Sequence, residues 1–301
     1  MEENYKKLDI YKFWQESELH SQKGNTFFEI YDELFSKYRG KNITFVEIGV
    51  KWGGSLLMWK KYFGENSRII GVDLIPEVKN LEKYGVEIFI GDQSSPTFWE
   101  SFYNKVGKID ILLDDGAHTN EAQIISTYNS VKNINDGGLI VIEDILSSYQ
   151  KSYLNPSKYS FVNYSKFLID DINGRVHIKH KQKFKGIFKK HSLNKYIYAT
   201  KYFTNFIAFF IDRKKCFEME STINRDLTEN KSDIITDNYK NPKWDEKIKK
   251  NFITLISKLI TNLLGNLKNK KFFQVIRKSV HKLNYTIIKK KIDKKIKKYF
   301  D

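Results

Sequence analysis

The chain has 301 residues, 41% of them apolar and 15% aromatic, enough to bury a core in one large domain or two small ones. No apolar run approaches the ~18 residues of a membrane-spanning helix, and a lone cysteine, Cys216, excludes an internal disulfide framework and fits a reducing cytosol. Net charge is +16, yet residues 241–301 hold 18 Lys and Arg against 4 Asp and Glu, which leaves +2 for residues 1–240. The near-neutral body argues against a nucleic-acid partner, and the tail is a separate basic object.

In chain order, the N-terminus MEENYKKLDIYKFW lacks the apolar core of a signal peptide. Residues 1–40 read as polar, aromatic-rich helical segments, a cap that contributes to the active site. From 41 to 216 strands and helices alternate. Thr44–Ile48, Arg68–Asp73, Val86–Ile90, Ile109–Leu113 and Leu139–Ile142 are short runs rich in Ile, Val, Leu or Phe and bounded by Gly, Asp or Asn, as suits parallel strands covered on both faces. Helices fit between them at Ser55–Phe63, Pro96–Val106 and Asn120–Asn133. Arg175–His180 and Tyr202–Arg213 read as two late strands, an antiparallel pair at the sheet edge, with a basic loop at 181–190 between them. Residues 217–243 form a polar linker. Phe252, Leu255, Ile256, Leu259, Ile260, Leu263 and Leu264 recur at helical spacing, so 244–301 is a basic amphipathic tail, helical or partly disordered. The expected fold is α/β: a Rossmann-like, doubly wound seven-stranded sheet, mostly parallel with a late antiparallel strand, plus that basic helical tail.

Chemistry concentrates at strand ends, where open α/β sheets bind ligands. The first strand runs into Glu47-Ile-Gly49-Val-Lys-Trp-Gly53-Gly54-Ser55. The G-x-x-x-G-G spacing is neither a P-loop nor the G-x-G-x-x-G dinucleotide fingerprint. An acid before the first glycine, with Asp73 closing the second strand, suits a ligand that carries an amine and a ribose diol, namely S-adenosylmethionine (SAM). In that reading Glu47 orients the loop N–H groups or meets a ligand cation, Asp73 accepts from both ribose hydroxyls, and Asp92 with Gln93 faces the adenine. Two acidic clusters, Asp114–Asp115 and Glu143–Asp144, end later apolar runs, and His118 follows the first by three residues. Buried carboxylates are expensive unless a metal, a cation or N–H donors pair with them. Taken singly, Asp114 or Asp115 can cap the next helix, Glu143 can pair with a buried Lys or Arg, and a loop histidine can be a surface residue.

Together these motifs resemble class I SAM-dependent methyltransferases. More narrowly, the chain is similar to the metal-dependent sugar O-methyltransferases of the mycinamicin and macrocin type, which act on macrolide antibiotic sugars. The matching strings are VEIGVKWGGSLLMWKKYF, IIGVDL, GDQSS, IDILLDDGAH, GGLIVIEDILSSY and FTNFIAFFIDRK. His20-Ser-Gln-Lys-Gly24 resembles the family's N-terminal Asp-Lys-Gly signature, with Gln22 in place of Asp, and Ala117 replaces the family's usual Ser. The resemblance covers about residues 15–215. It implies a divalent metal, Mg2+, on Asp115, Glu143 and Asp144, and His118 as the base. It implies SAM held by Glu47, Gly49, Gly53, Ser55, Asp73, Asp92, Gln93 and Asp114, the last in a ligand-binding or structural role. Lys23 and Tyr149 border the acceptor site.

The expected activity is metal-assisted methyl transfer to a sugar hydroxyl, on a nucleotide-activated sugar or a glycan of a bacterial surface polysaccharide. The competing functions are a nucleic-acid methyltransferase anchored on RNA by the tail, and a non-catalytic SAM-binding protein. The expected location is cytoplasmic, and the tail offers contact with an anionic inner-membrane surface or a second copy of the chain.

Overall fold

The computed structural model describes residues 3–153, 155, 157–174, 193–216, 294 and 296–300. All of them belong to one compact unit, Met1–Met219 with Ile292–Asp301. The continuous apolar runs form parallel strands β1 (Thr44–Ile48), β2 (Arg68–Asp73), β3 (Glu87–Ile90), β4 (Ile109–Asp114) and β5 (Ile134–Ile142). An antiparallel hairpin, β6 (Ile197–Phe203) and β7 (Phe206–Ile211), completes one sheet of order β3-β2-β1-β4-β5-β7-β6. The strand order reverses beside β1, and the carboxyl ends of β1 and β4 open a crevice there.

Alternating side chains send each strand's residues to two separate cores. Phe45, Ile69, Ile111, Leu113, Val141 and Phe206 pack under helices α1 (Asp9–Gln15), α2 (Phe27–Phe35) and α3 (Gly54–Phe63). Val46, Ile70, Leu112, Ile140 and Phe209 pack under α4 (Pro96–Val106), α5 (Asn120–Ser130) and α6 (Phe161–Gly174). Each fully buried aliphatic or aromatic side chain contributes about 1.5–3 kcal/mol. Helix starts follow capping chemistry: Ser95 Oγ accepts from Phe98 N–H with Pro96 behind it, and Thr119 Oγ1 accepts from Ala122 N–H.

β1 and β2 begin and end where the apolar runs do, β3 starts one residue later at Glu87, β4 ends one residue later at Asp114, and β5 starts five residues earlier at Ile134. Three differences from the sequence reading matter. Tyr202–Arg213 is not one strand; it breaks at Asn205, whose φ of 69° makes the hairpin turn between β6 and β7. Helix α6 lies in a stretch to which the sequence reading assigns no element, with Phe161, Tyr164, Ser165 and Leu168 buried at helical spacing. The end of the chain is not all tail: Ile296 and Tyr299 are buried, Tyr299 meets Tyr128 at 4.7 Å, and Phe300 packs on Tyr159 and Tyr164. Apolar residues at 296, 299 and 300 share one helical face, which is what docks. The expected strand at 175–180, the basic loop at 181–190, the linker at 217–243 and the amphipathic helix at 252–264 lie outside the described residues. Among those described, no helix is long and apolar enough to cross a membrane.

Candidate active site

A cavity of about 830 Å³ opens at the carboxyl ends of the strands. It is lined by the 20–24 segment, the loop after β1, Asp73, Asp92, Gln93, Asp115, His118, Glu143 and Asp144. Most sequence-predicted residues therefore meet in one place.

The loop after β1 is shaped by close approach. Gly49 has φ 88°, and a Cβ there would lie 2.1 Å from the carbonyl oxygen of Asp115, so no other residue fits. Asp73 fixes this loop, its Oδ2 accepting from the N–H groups of Val50 (2.8 Å) and Lys51 (3.1 Å). Its Oδ1 accepts from Ile75 N–H at 3.0 Å. Three of about four acceptor positions on this carboxylate are thus filled from the chain, which leaves room for one ligand donor rather than two. Asp92 Oδ1 accepts from the N–H and hydroxyl of Ser94.

Several expectations for this half require correction. Glu47 does not line the cavity; its side chain points to the α3 side, where it accepts from Ser55 Oγ at 2.8 Å. Gly53 does not line it either. At φ 87° it makes the turn into α3, and a Cβ would strike Leu81. Asp114 is fully buried, occupied by the Gln93 amide (3.0 and 3.1 Å), the Ser126 hydroxyl and Gly116 N–H. It is structural, a brace beneath the cavity floor, and burial raises its pKa against the pull of those donors. Gln93 reaches the cavity, but its amide is spent on Asp114 and on Ala117 N–H (2.7 Å), which leaves little for an adenine. Tyr149 is 61% exposed and lies off the lining.

The acidic half is built differently. Asp115 and His118 come from the loop after β4, and Asp144 follows β5. His118 (φ 53°) and Asp144 (φ 56°) both hold left-handed backbone conformations, strained for residues with a Cβ and typical of sites over-determined by their surroundings. His118 Nε2 lies 3.5 Å from Asp144 Oδ2 and 3.9 Å from Asp115 Oδ1. One ligand atom from each of the three falls within 4.8 Å of the others. Glu143 stands apart from this group. It is 2% exposed, accepts from Tyr31 Oη at 2.6 Å, and lies 3.5 Å from Lys23 Nζ. The expected triad of Asp115, Glu143 and Asp144 is therefore not what the side chains form: Glu143 is drawn off by a buried lysine and a tyrosine.

Lys23 is at the centre of this arrangement. Its side chain is 3% exposed and its Nζ contacts Asp115 Oδ2, with Glu47 Oε1 at 3.8 Å. Burial pushes Glu47 up to about 7 and Glu143 well above the usual carboxylate range, in both cases against the pull of the Lys23 ammonium. Burial alone would lower Lys23, but Glu143, Tyr31, Asp115 and Glu47 outweigh it and hold the ammonium firmly protonated.

Two further residues escaped sequence reasoning. Tyr31 reaches Glu143 from α2 because Trp59 and Phe206 pack its ring at 5.0 and 5.6 Å. Asn205, on the hairpin turn, donates from Nδ2 to Asp144 Oδ1 and accepts from Leu146 N–H at 2.9 Å. An Asn flanked by strand-like sequence was the available signal for a turn; nothing local pointed to either contact.

The seven-stranded, mostly parallel sheet with its late antiparallel hairpin is the α/β methyltransferase fold. The chain is 33% identical over 161 residues to 8-demethyl-8-alpha-L-rhamnosyl tetracenomycin-C 2'-O-methyltransferase of Streptomyces olivaceus, covering 50% of this chain and 42% of that protein. It is 35% identical over 126 residues to demethylmacrocin O-methyltransferase of Streptomyces fradiae, covering 40% and 31%. The chain thus spans less than half the length of these relatives. A solved structure of the MycE methyltransferase with Mg, SAH and mycinamycin VI shares the fold at TM-score 0.60 and 24% identity, over 73% of this chain and 57% of that one. No family model matches the chain.

Proposed function

We propose that this chain is a SAM-dependent O-methyltransferase that methylates a sugar hydroxyl with the help of a divalent cation. The observation that carries this reading is the convergence of Asp115, His118 and Asp144 beside a glycine loop in one cavity. The relatives, named as sugar O-methyltransferases, support it. The acceptor we favour is a nucleotide-activated sugar or a surface glycan.

The residues present fit both groups. Gly49, Asp73 and Asp92 would hold SAM, the methyl donor. Asp115 and Asp144 offer carboxylate oxygens within 4.8 Å of one another, which suits a hard divalent cation such as Mg2+ or Mn2+ and leaves the His118 imidazole beside it as the base. When bound, such a cation lowers the pKa of a sugar hydroxyl and fixes its direction.

The chain's own residues carry the rest. Gly49 lets the loop backbone close on the Asp115 carbonyl, where any side chain would collide, and so sets the donor half against the acids. Asp73 clamps the loop N–H groups, so the donor half is shaped before a ligand arrives. His118, with Nε2 3.5 Å from Asp144 and 3.9 Å from Asp115, stands beside the acids and takes the hydroxyl proton. Asn205 aims Asp144.

Incubation of the full chain with methyl-labelled SAM and a panel of sugar nucleotides and glycosylated small molecules tests this, with Mg2+ and with a chelator. Label in a sugar product with Mg2+, lost in chelator, is expected. Undiminished transfer in chelator contradicts the metal role, and no transfer to any sugar contradicts the acceptor class.

A further inference from the structure

The segment at 20–24 is neither helix nor strand, yet it delivers a lysine into the most acidic part of the cavity. Lys23 Nζ meets oxygens of three carboxylates from three places in the fold: Glu47 on β1, Asp115 after β4 and Glu143 after β5. A cation covalently part of the chain therefore already occupies Asp115, a side chain that also faces His118 and Asp144.

We propose that Lys23 is a built-in competitor of the divalent cation: ammonium and metal contest Asp115, and Glu143 turns to the metal only as Lys23 withdraws. This rests on the metal reading above. Two positive centres on one carboxylate lie within a few ångströms and repel strongly in a partly buried site. Each therefore weakens the other's hold, by the same factor in both directions. Glu143 is restrained from the other side by the Tyr31 hydroxyl, so removing the ammonium frees one of its two oxygens. Withdrawal asks little of the backbone. The lysine has a flexible four-carbon stem, and its neighbours Gln22 and Gly24 are exposed or half-buried. Lys23 is thus a positioning residue for the acids and sets how tightly the centre takes a metal.

The test is Mn2+ titration of the full chain followed by electron paramagnetic resonance, in wild type and in Lys23→Met, Lys23→Arg and Asp115→Asn. Lys23→Met is expected to bind Mn2+ at least about 10-fold tighter, within the usual range of coupling between two sites. Lys23→Arg keeps the charge and stays near wild type, and Asp115→Asn binds far more weakly than any of these. A second measurement uses the unmutated protein: acetic anhydride labelling of Lys23, read by mass spectrometry, is slow without metal and rises several-fold with saturating Mn2+. Equal or weaker Mn2+ binding in Lys23→Met, or labelling indifferent to Mn2+, overturns the competition while leaving the metal centre standing. Absence of Mn2+ binding in wild type and Lys23→Met alike overturns both.

Discussion

The two halves of the cavity are held by different means. In the donor half the one carboxylate facing the loop, Asp73, is clamped by three backbone N–H groups within 23 residues of it in sequence. In the acidic half, carboxylates are held by side chains from far along the chain: Lys23 on Asp115 across 92 residues, Tyr31 on Glu143 across 112, and Asn205 on Asp144 across 61. A half fixed by local backbone bonds tolerates side-chain change elsewhere. A half fixed by long-range side-chain bonds depends on the docking of the N-terminal cap and the β6–β7 hairpin.

The comparison breaks most completely at Gly49, where the halves touch. Gly49→Ala sets a methyl group against the Asp115 carbonyl at positive φ. It is expected to cost more than about 3 kcal/mol in urea denaturation and to disturb both halves together. A smaller effect separates them. Asn205→Gly keeps the turn's left-handed backbone but removes the bond to Asp144. Methyl transfer is expected to fall roughly tenfold or more, as for a lost bond to a charged group. Binding of SAH, measured by calorimetry, should stay within about twofold, because the donor half owes nothing to the hairpin.

The smallest effect lies outside both halves and serves as a reference. Arg68 pairs with Glu87 through two bonds, at 2.6 and 2.7 Å, and holds its carboxyl below the usual range. A depressed folded-state pKa stabilises above the unfolded value of 4.5 and loses that contribution as pH falls through the folded value. Both side chains are well exposed, so Glu87→Gln is expected to change stability by under about 1 kcal/mol at pH 7. The difference should shrink in melts as pH falls below 4.5 and Glu87 of the wild type takes up its proton.

How much of this was legible in the sequence follows the same division. Parallel strands buried on both faces announce themselves as apolar runs, which is why β1 and β2 match residue for residue. Asp73, Asp115, His118 and Asp144 could be found because each sits at or just past a strand end, a place that local pattern marks. A buried Lys or Arg was open as the partner of Glu143 and Lys23 was placed beside the acceptor, but the two could not be joined, because 120 residues separate them and only the fold brings them to 3.5 Å. Asp114 left two roles open, ligand-binding or structural: adjacent to Asp115 and identical in type, it alternates to the other side of the strand end, where burial and its bonds to Gln93 and Ser126 favour the brace. The helix α6 was hidden by the polar residues among its apolar ones, of which Ser165 and Asp171 are buried in the structure.

The most direct test of the central claim, that donor and metal share this one cavity, is a crystal structure of the full chain with SAH and Mn2+, with anomalous data to locate the manganese. The account predicts an anomalous peak between Asp115 and Asp144, with the SAH ribose at Asp73 and its amino-acid end over Gly49. A manganese peak elsewhere, or SAH bound away from the loop after β1, would contradict it.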